Sequence, residues 1–299
     1  MGTPSVAEAA AISQGAESGR LIQEKQIHYA KEDEVGAVTI ALVELDKPFA
    51  PHKGELHLIG SGPGKLEMLT SDSRQALTRC AAWIGYGPYL NYLEEIRRHD
   101  QIRIDSELTF EKDRCQHALD LAKEGVKVAL ISSGDSGIYG MAGLALELWL
   151  NESVDARPLF QVHPGISSFQ MAAAKLGAPF MHDFCSISLS DLLTPWNQIE
   201  KRIKSAAIGD FVLAIFNPKS IKRNWQLKKT VDLLLEFRKP STPVAIARQL
   251  GRPEESIELY TLQTLPFDQV DMLTILVIGN SQSVIKNNKF LTPRGYFSN

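Results

Sequence analysis

The sequence predicts an α/β protein of two lobes, each a sheet with helices packed on its faces. Three observations carry that expectation. From Gly54 onward, short apolar runs of strand length alternate with amphipathic helical stretches. Several of those runs end in clusters of glycine, serine and proline, with a helical pattern opening directly behind them. The rhythm then restarts after a break in the 162–178 region. Strand–helix–strand units favour parallel pairing, so parallel sheets covered on both faces are expected. The boundaries read as 1–53 for an N-terminal extension and linker, 54–165 for the first lobe and 166–299 for the second.

The extension is too short to be a domain by itself, so it is either an extra layer on the main body or the leftover end of an upstream domain. SVAEAAAI (residues 5–12) has the pattern of one or two helical turns. VGAVTIALVEL (35–45) alternates as a strand that needs a sheet to cover it. KPFAPHK (47–53), with two prolines, reads as a linker. ELHLIG (55–60) is a strand feeding the glycine-rich turn GSGPG, and Thr70 or Ser71 can cap the helix that follows. AAWIGYG (81–87) is the next strand, PYLNYLEEIRR (88–98) a helix, and residues 110–124 a helix with Cys115, Ala118, Leu119 and Ala122 inward.

An apolar run ending at Ile131 then meets SSGDSGIYGMAG (132–143), where Gly134, Gly137 and Gly140 surround one carboxylate, Asp135. Such a turn at a strand's carboxyl end permits close backbone approach to a ligand, or serves only a strand–helix turn that needs positive φ. Strands are also expected at 159–163, 211–216, 244–248 and 273–279. Ser167 or Ser168 can cap the helix after His163.

Composition narrows the classes. The chain has 299 residues, 44% hydrophobic and 22% charged, with a net charge of −3. Those are the proportions of a globular chain without long disorder, and they lack the basic excess of a nucleic-acid binder. No apolar run reaches the ~20 residues of a membrane-spanning helix. Glu8 interrupts the alanines where a secretory leader would be continuous, so a cytoplasmic protein is expected. Cys80, Cys115 and Cys185 are odd in number and widely spaced, which suits reduced, buried thiols. GxGxG without the GxxG or GK[ST] continuation fits neither a dinucleotide fingerprint nor a P-loop.

The ordered set GSGPGKLEMLT, SSGDSGIYGMAG, HPGISS, HDFCSISLSDLLTPW, FNPKS, VIGNS and TPRGY resembles the tetrapyrrole methylases, from about Gly54 to Tyr296. HDFCSISLSDLLTPW and NPKS point within them to the branch that methylates carbon 17 of a precorrin-3-type macrocycle with ring contraction. Lys65 departs from the usual acidic or small residue, and residues 106–111 lack the expected glycine–methionine run. The resemblance implies S-adenosylmethionine as cofactor, held between the lobes by Pro63, Gly134, Asp135, Ile138, Ser167, Ser168, Asn217, Ala245 and Thr274. It also implies a tetrapyrrole substrate, with or without cobalt, and a homodimer. Residues 1–50 resemble the C-terminal end of the cobalamin-biosynthesis protein that opens the precorrin lactone, which would make them the remnant of a fused neighbour.

Other side chains are candidates on chemical grounds. His182 and Asp183 can orient the macrocycle or move a proton, or else sit in a polar loop before a helix capped by Ser190 or Asp191. An isolated HDxC has no second ligand pair, so no metal site is expected. Lys219, Lys222, Arg223, Lys228 and Lys229 form either a solvated helix face or, with Arg248 and Arg252, a cationic seat for the carboxylate arms of a tetrapyrrole. Two further readings stay open: methylation at another ring carbon, and a tetrapyrrole-binding module without turnover.

Overall fold

A computed structural model describes residues 19–31, 34–45, 54–220 and 223–296. The chain divides into two compact units, 1–52 and 53–299. In the first, β1 (Gly19–Lys31) pairs antiparallel with β2 (Glu34–Leu45), Gly19 opposite Leu45 and Lys31 opposite Glu34. The expected strand at 35–45 is therefore present, paired edge to edge with a strand that the sequence hid among charged residues. The expected helix at 5–12 and linker at 47–53 lie outside the described residues.

The second unit opens with a five-stranded sheet made of β3 (Glu55–Gly60), β4 (Ala82–Tyr86), β5 (Ile102–Ser106), β6 (Lys127–Ser132) and β7 (Leu159–His163). Their order is β5-β4-β6-β3-β7, and every pair is parallel. The central runs of β3 and β6 are buried on both faces, as expected for a sheet covered on both sides. Helix α1 (Ser71–Arg79) starts where Thr70 Oγ1 accepts the Ser73 N–H at 3.1 Å. It packs Ala76 and Leu77 on one face of the sheet with Ile59, Trp83 and Ile131.

The stretch expected as one helix from 88 to 98 is instead a single turn, α2 (Gly87–Asn91), followed by a tighter turn at Glu94–Ile96. The chain bends there because both Leu90 and Leu93 bury themselves, leaving Glu94 to pair with Arg97 and Arg103. Strand β5 escaped the sequence reading because IRIDS is a short edge strand of mixed faces, with Ile102 and Asp105 both exposed. Helix α3 (Glu111–Lys123) lays Cys115, Ala118, Leu119 and Ala122 on the opposite face, as expected, beside α4 (Ala142–Asn151).

Helix α5 (Ser168–Leu176) leads through the two-residue β8 (Gly177–Ala178) to a second five-stranded sheet. This sheet contains β9 (Phe184–Ser188), β10 (Val212–Phe216), β11 (Pro243–Arg248), β12 (Ser256–Thr261) and β13 (Thr274–Ile278), in the order β12-β11-β13-β10-β9. It is mixed, which corrects the expectation of a second parallel sheet. Only β9 and β10 run parallel; β13 lies antiparallel between β10 and β11, and β12 is antiparallel to β11. Residues 249–255, the link from β11 to β12, are too few for the crossover that a parallel pair requires. Strands β14 (Val284–Lys286) and β15 (Lys289–Leu291) form a small third sheet with β8.

Two helices cover the outer face of the second sheet. Helix α6 (Trp196–Ile208) begins after Pro195, so neither Ser190 nor Asp191 caps it. Helix α7 (Gln226–Leu235) starts late enough to leave Lys219 and Arg223 in a loop; Lys222 lies outside the described residues. Both helices cover a core of Ile187, Leu213, Ile215, Val244, Ile246 and Leu276. No helix among the described residues is long and apolar enough to cross a membrane.

Candidate active site

Strands β3 and β6 are neighbours whose following segments leave in opposite directions, so two glycine loops meet at one carboxyl edge. They are tied backbone to backbone: Gly62 N–H donates to Gly134 O at 3.0 Å and Gly134 N–H to Gly62 O at 2.8 Å. Gly134 sits at φ +71°, the left-handed region that favours glycine, although a Cβ there would meet nothing nearer than 3.8 Å. The segment after β7 threads between these loops. A Cβ on Gly165 would collide with the Gly134 carbonyl oxygen and with Gly60.

Asp135 is the brace of this crossing. Its Oδ1 accepts the Gly137 N–H at 2.8 Å and its Oδ2 the Gly165 N–H at 2.9 Å. Both oxygens thus serve the protein's own backbone. Downstream, Ser167 and Gln170 form a reciprocal capping box at the start of α5.

The second sheet supplies the other wall. Asn217 follows β10 and Gln249 follows β11, each at φ 48°, a conformation that non-glycine residues adopt rarely. Between the two walls lies a cavity with about 810 Å³ of empty space, its open mouth included. Pro63, Gly134, Asp135, Ile138, Ser167, Ser168, Asn217 and Thr274 all line it. Of the nine cofactor candidates only Ala245 does not. It is wholly buried in mid-strand, and Ala247, two residues on along the same face, lines the cavity instead.

The remaining lining residues were not foreseen as ligand contacts. Tyr139 (φ 54°) and Phe216 set their rings 4.8 Å apart, centroid to centroid, with the Tyr139 hydroxyl donating to Ser186 O at 3.1 Å. Tyr89, Gln249, Leu250, Met272 and Leu273 also line the wall. Their signal in the sequence was slight, because each is an ordinary residue placed by a strand end.

Among the lining residues the charged side chains are Asp135 and Arg252. The Arg252 guanidinium lies over the rings of Tyr89 and Tyr92, at 5.7 and 5.8 Å from their centroids. Its loop is fixed by Glu255, which accepts the Gly251 N–H at 2.7 Å and pairs with Lys175 at 2.5 Å. Burial pushes the Glu255 carboxyl up, but those two partners outweigh it and hold it below the usual range.

Three of the other cationic candidates are engaged elsewhere. Lys219 donates to Phe267 O at 2.9 Å. Arg223 donates to the Asn217 carbonyl at 3.1 Å, bracing the left-handed residue from behind, and burial pushes its guanidinium down. Arg248 is spread over Ser256 and Glu258 on β12. His182 and Asp183 precede β9, whereas the cavity opens beyond its other end, where Ser188 Oγ accepts from Asn217 Nδ2 at 3.0 Å. Strand rise alone separates Asp183 from Ser188 by roughly 16 Å. The His182 ring accepts the Asp183 N–H, and neither residue lines the cavity.

Residues 55–266 match the family described as Tetrapyrrole (Corrin/Porphyrin) Methylases. A relative from Salmonella typhimurium, a probable cobalt-factor III C(17)-methyltransferase, is 43% identical over 81% of this chain and 99% of its own length. A Sinorhizobium precorrin-3B C(17)-methyltransferase is 37% identical, covering 81% of this chain and 97% of its own. Against the cobalt-factor III methyltransferase of Priestia megaterium, 42% identical, the match spans 82% of this chain but 45% of that longer protein. The crystal structure of the methyltransferase CobJ superposes with a TM-score of 0.75 at 34% identity, covering 80% of this chain and all of that one.

Proposed function

The chain belongs to the tetrapyrrole methylases, and from that premise we propose that it transfers a methyl group from S-adenosylmethionine to carbon 17 of a precorrin-3-type macrocycle, with contraction of the ring. The carrying observation is the cavity between the carboxyl edge of the first sheet and the β10, β11 and β13 ends of the second. Its walls are backbone, small hydroxyls, aliphatic side chains and three aromatic rings, with one cation among them. The proposed lobe boundary, near residue 165, falls at the segment crossing between those walls.

These residues fit the cofactor. Gly134, Pro63 and Thr274 leave backbone close to any ligand in the cavity. The first N–H groups of α5, beside Ser168, suit a carboxylate. The faces of Tyr139 and Phe216 suit a sulfonium cation. When bound, S-adenosylmethionine supplies an electrophilic methyl on that sulfonium. The protein's share is to hold donor and ring carbon in line and to keep water out. Arg252 presents its guanidinium toward a carboxylate arm of the macrocycle. His182 and Asp183 have no part in this reading.

The names of the relatives support both cobalt-containing and metal-free macrocycles as substrates. The test incubates the purified chain with S-adenosylmethionine and each macrocycle in turn. Formation of S-adenosylhomocysteine that depends on the macrocycle, with a macrocycle one methyl heavier, supports an enzyme of this class. Tight binding of both ligands without turnover would instead mark a binding module.

A further inference from the structure

Behind the cavity wall runs a chain of titratable side chains that the proposed reaction does not use. His57 on β3 and His163 on β7 are 3% and 9% exposed. His57 Nδ1 and His163 Nε2 are 2.9 Å apart. His57 Nε2 lies 2.8 Å from Glu55 Oε2, and His163 Nδ1 lies 2.7 Å from Asp72 Oδ2 on α1. Lys127 on β6 closes the chain on Glu55 at 2.8 Å.

Proton arithmetic constrains this arrangement. All three contacts made by the rings are of hydrogen-bond length, and each needs one proton. Ionised carboxylates bring none, and two neutral imidazoles bring only two. A pair with two protons would set lone pairs face to face at one of the contacts. We propose that the two rings hold three protons between them, one net positive charge flanked by Glu55 and Asp72, and that this unit is a positioning clamp for the segment lining the cavity.

In that arrangement one proton bridges His57 Nδ1 and His163 Nε2, while His57 Nε2 donates to Glu55 and His163 Nδ1 donates to Asp72. Burial pushes the His57 ring down, outweighing its Glu55 hydrogen bond. The other titratable neighbour, Cys80, has its thiol pushed up to about 12 by burial and contributes no charge. Arg74 and Arg79 of α1 are exposed.

His163 directly precedes Pro164, whose carbonyl accepts from both Thr70 Oγ1 and Ser73 Oγ of α1. Next come Gly165, bound to Asp135, and then Ser167 and Ser168 of the cavity wall. The clamp thus fixes β7 to α1 at the point where the chain enters the site. Losing the third proton as pH rises breaks the ring–ring bond and loosens that entry.

The effect on ligand affinity rests on the cavity being the cofactor site, so the test has a part that does not. On the free, full-length chain, the ¹⁵N shifts of the ring nitrogens at neutral pH should show three protonated and one bare. The Gly165 amide signal should move with the same midpoint as the rings. Affinity for S-adenosylhomocysteine, measured by calorimetry, should weaken severalfold with the same midpoint as the loss of the third ring proton, and His163→Gln should flatten that slope. His57→Gln serves as the second variant if the first does not fold. Two protonated nitrogens, or a Gly165 signal indifferent to the ring titration, would overturn the clamp. Three protons and a titrating Gly165, in a chain that never binds S-adenosylhomocysteine, would uphold the clamp and overturn the cofactor reading.

Discussion

Asp135 and Gly165 are joined by a 2.9 Å hydrogen bond between loops that follow different strands of the first sheet. With its other oxygen on Gly137, the carboxylate fastens the β6 loop to the strand that crosses into the second half of the chain. Asp135→Ala removes two charge-assisted bonds and leaves two backbone N–H groups unpaired, a loss of about 2–4 kcal/mol. Urea unfolding should show that loss, and calorimetry a fall in S-adenosylhomocysteine affinity of about tenfold or more.

The two glycines at this crossing should respond differently. Gly165→Ala places a Cβ into backbone on two sides and should prevent stable folding. Gly134→Ala meets open space and bears only the left-handed backbone cost, about 1–2 kcal/mol. Melting curves of the two variants would separate them, and equal losses would contradict the threading.

What was legible followed from apolar runs and small residues. LHLI, VALI and TILVI are buried through most of their length, so their strands stood out. The cofactor candidates came from the resemblance of the glycine and serine loops to those of the tetrapyrrole methylases, and eight of the nine line the cavity. The antiparallel β13 was not visible as such, because a five-residue apolar strand reads the same in either direction. FCSIS and SIELYT were missed as edge strands with mixed faces. Gln249 and Tyr139 were missed because their positive φ arises from where the strands end. The basic run is a related case: charge shows in sequence, whereas engagement of Arg248 by Glu258 or Lys219 by Phe267 does not.

Arg252 and Arg248 provide a contrast for the substrate. Arg252→Ala should raise the macrocycle KM by about 10- to 100-fold, the worth of one charge-assisted contact, with cofactor affinity nearly constant. Added salt should weaken macrocycle binding to the wild type more than to this variant. Arg248→Ala should lower stability while leaving that KM in place. Steady-state kinetics at two salt concentrations would decide between them.

Glu55 sets an acid limit. Burial raises its carboxyl, but the bonds to Lys127 and His57 prevail and leave it below the ordinary value of 4.5. A carboxylate depressed in the folded state stabilises it above the unfolded pKa and loses that contribution as pH falls through the folded value. Stability should therefore drop below about pH 4.5, and Glu55→Gln should lessen the drop. Parallel acid limbs in the two proteins, followed by thermal melting, would contradict this.

The most direct test of the central claim follows a ¹³C-labelled methyl group from S-adenosylmethionine into the product macrocycle by NMR. The account predicts a single labelled methyl, on carbon 17 of a contracted ring. A label on any other ring carbon, or a methylated ring that has not contracted, would contradict it.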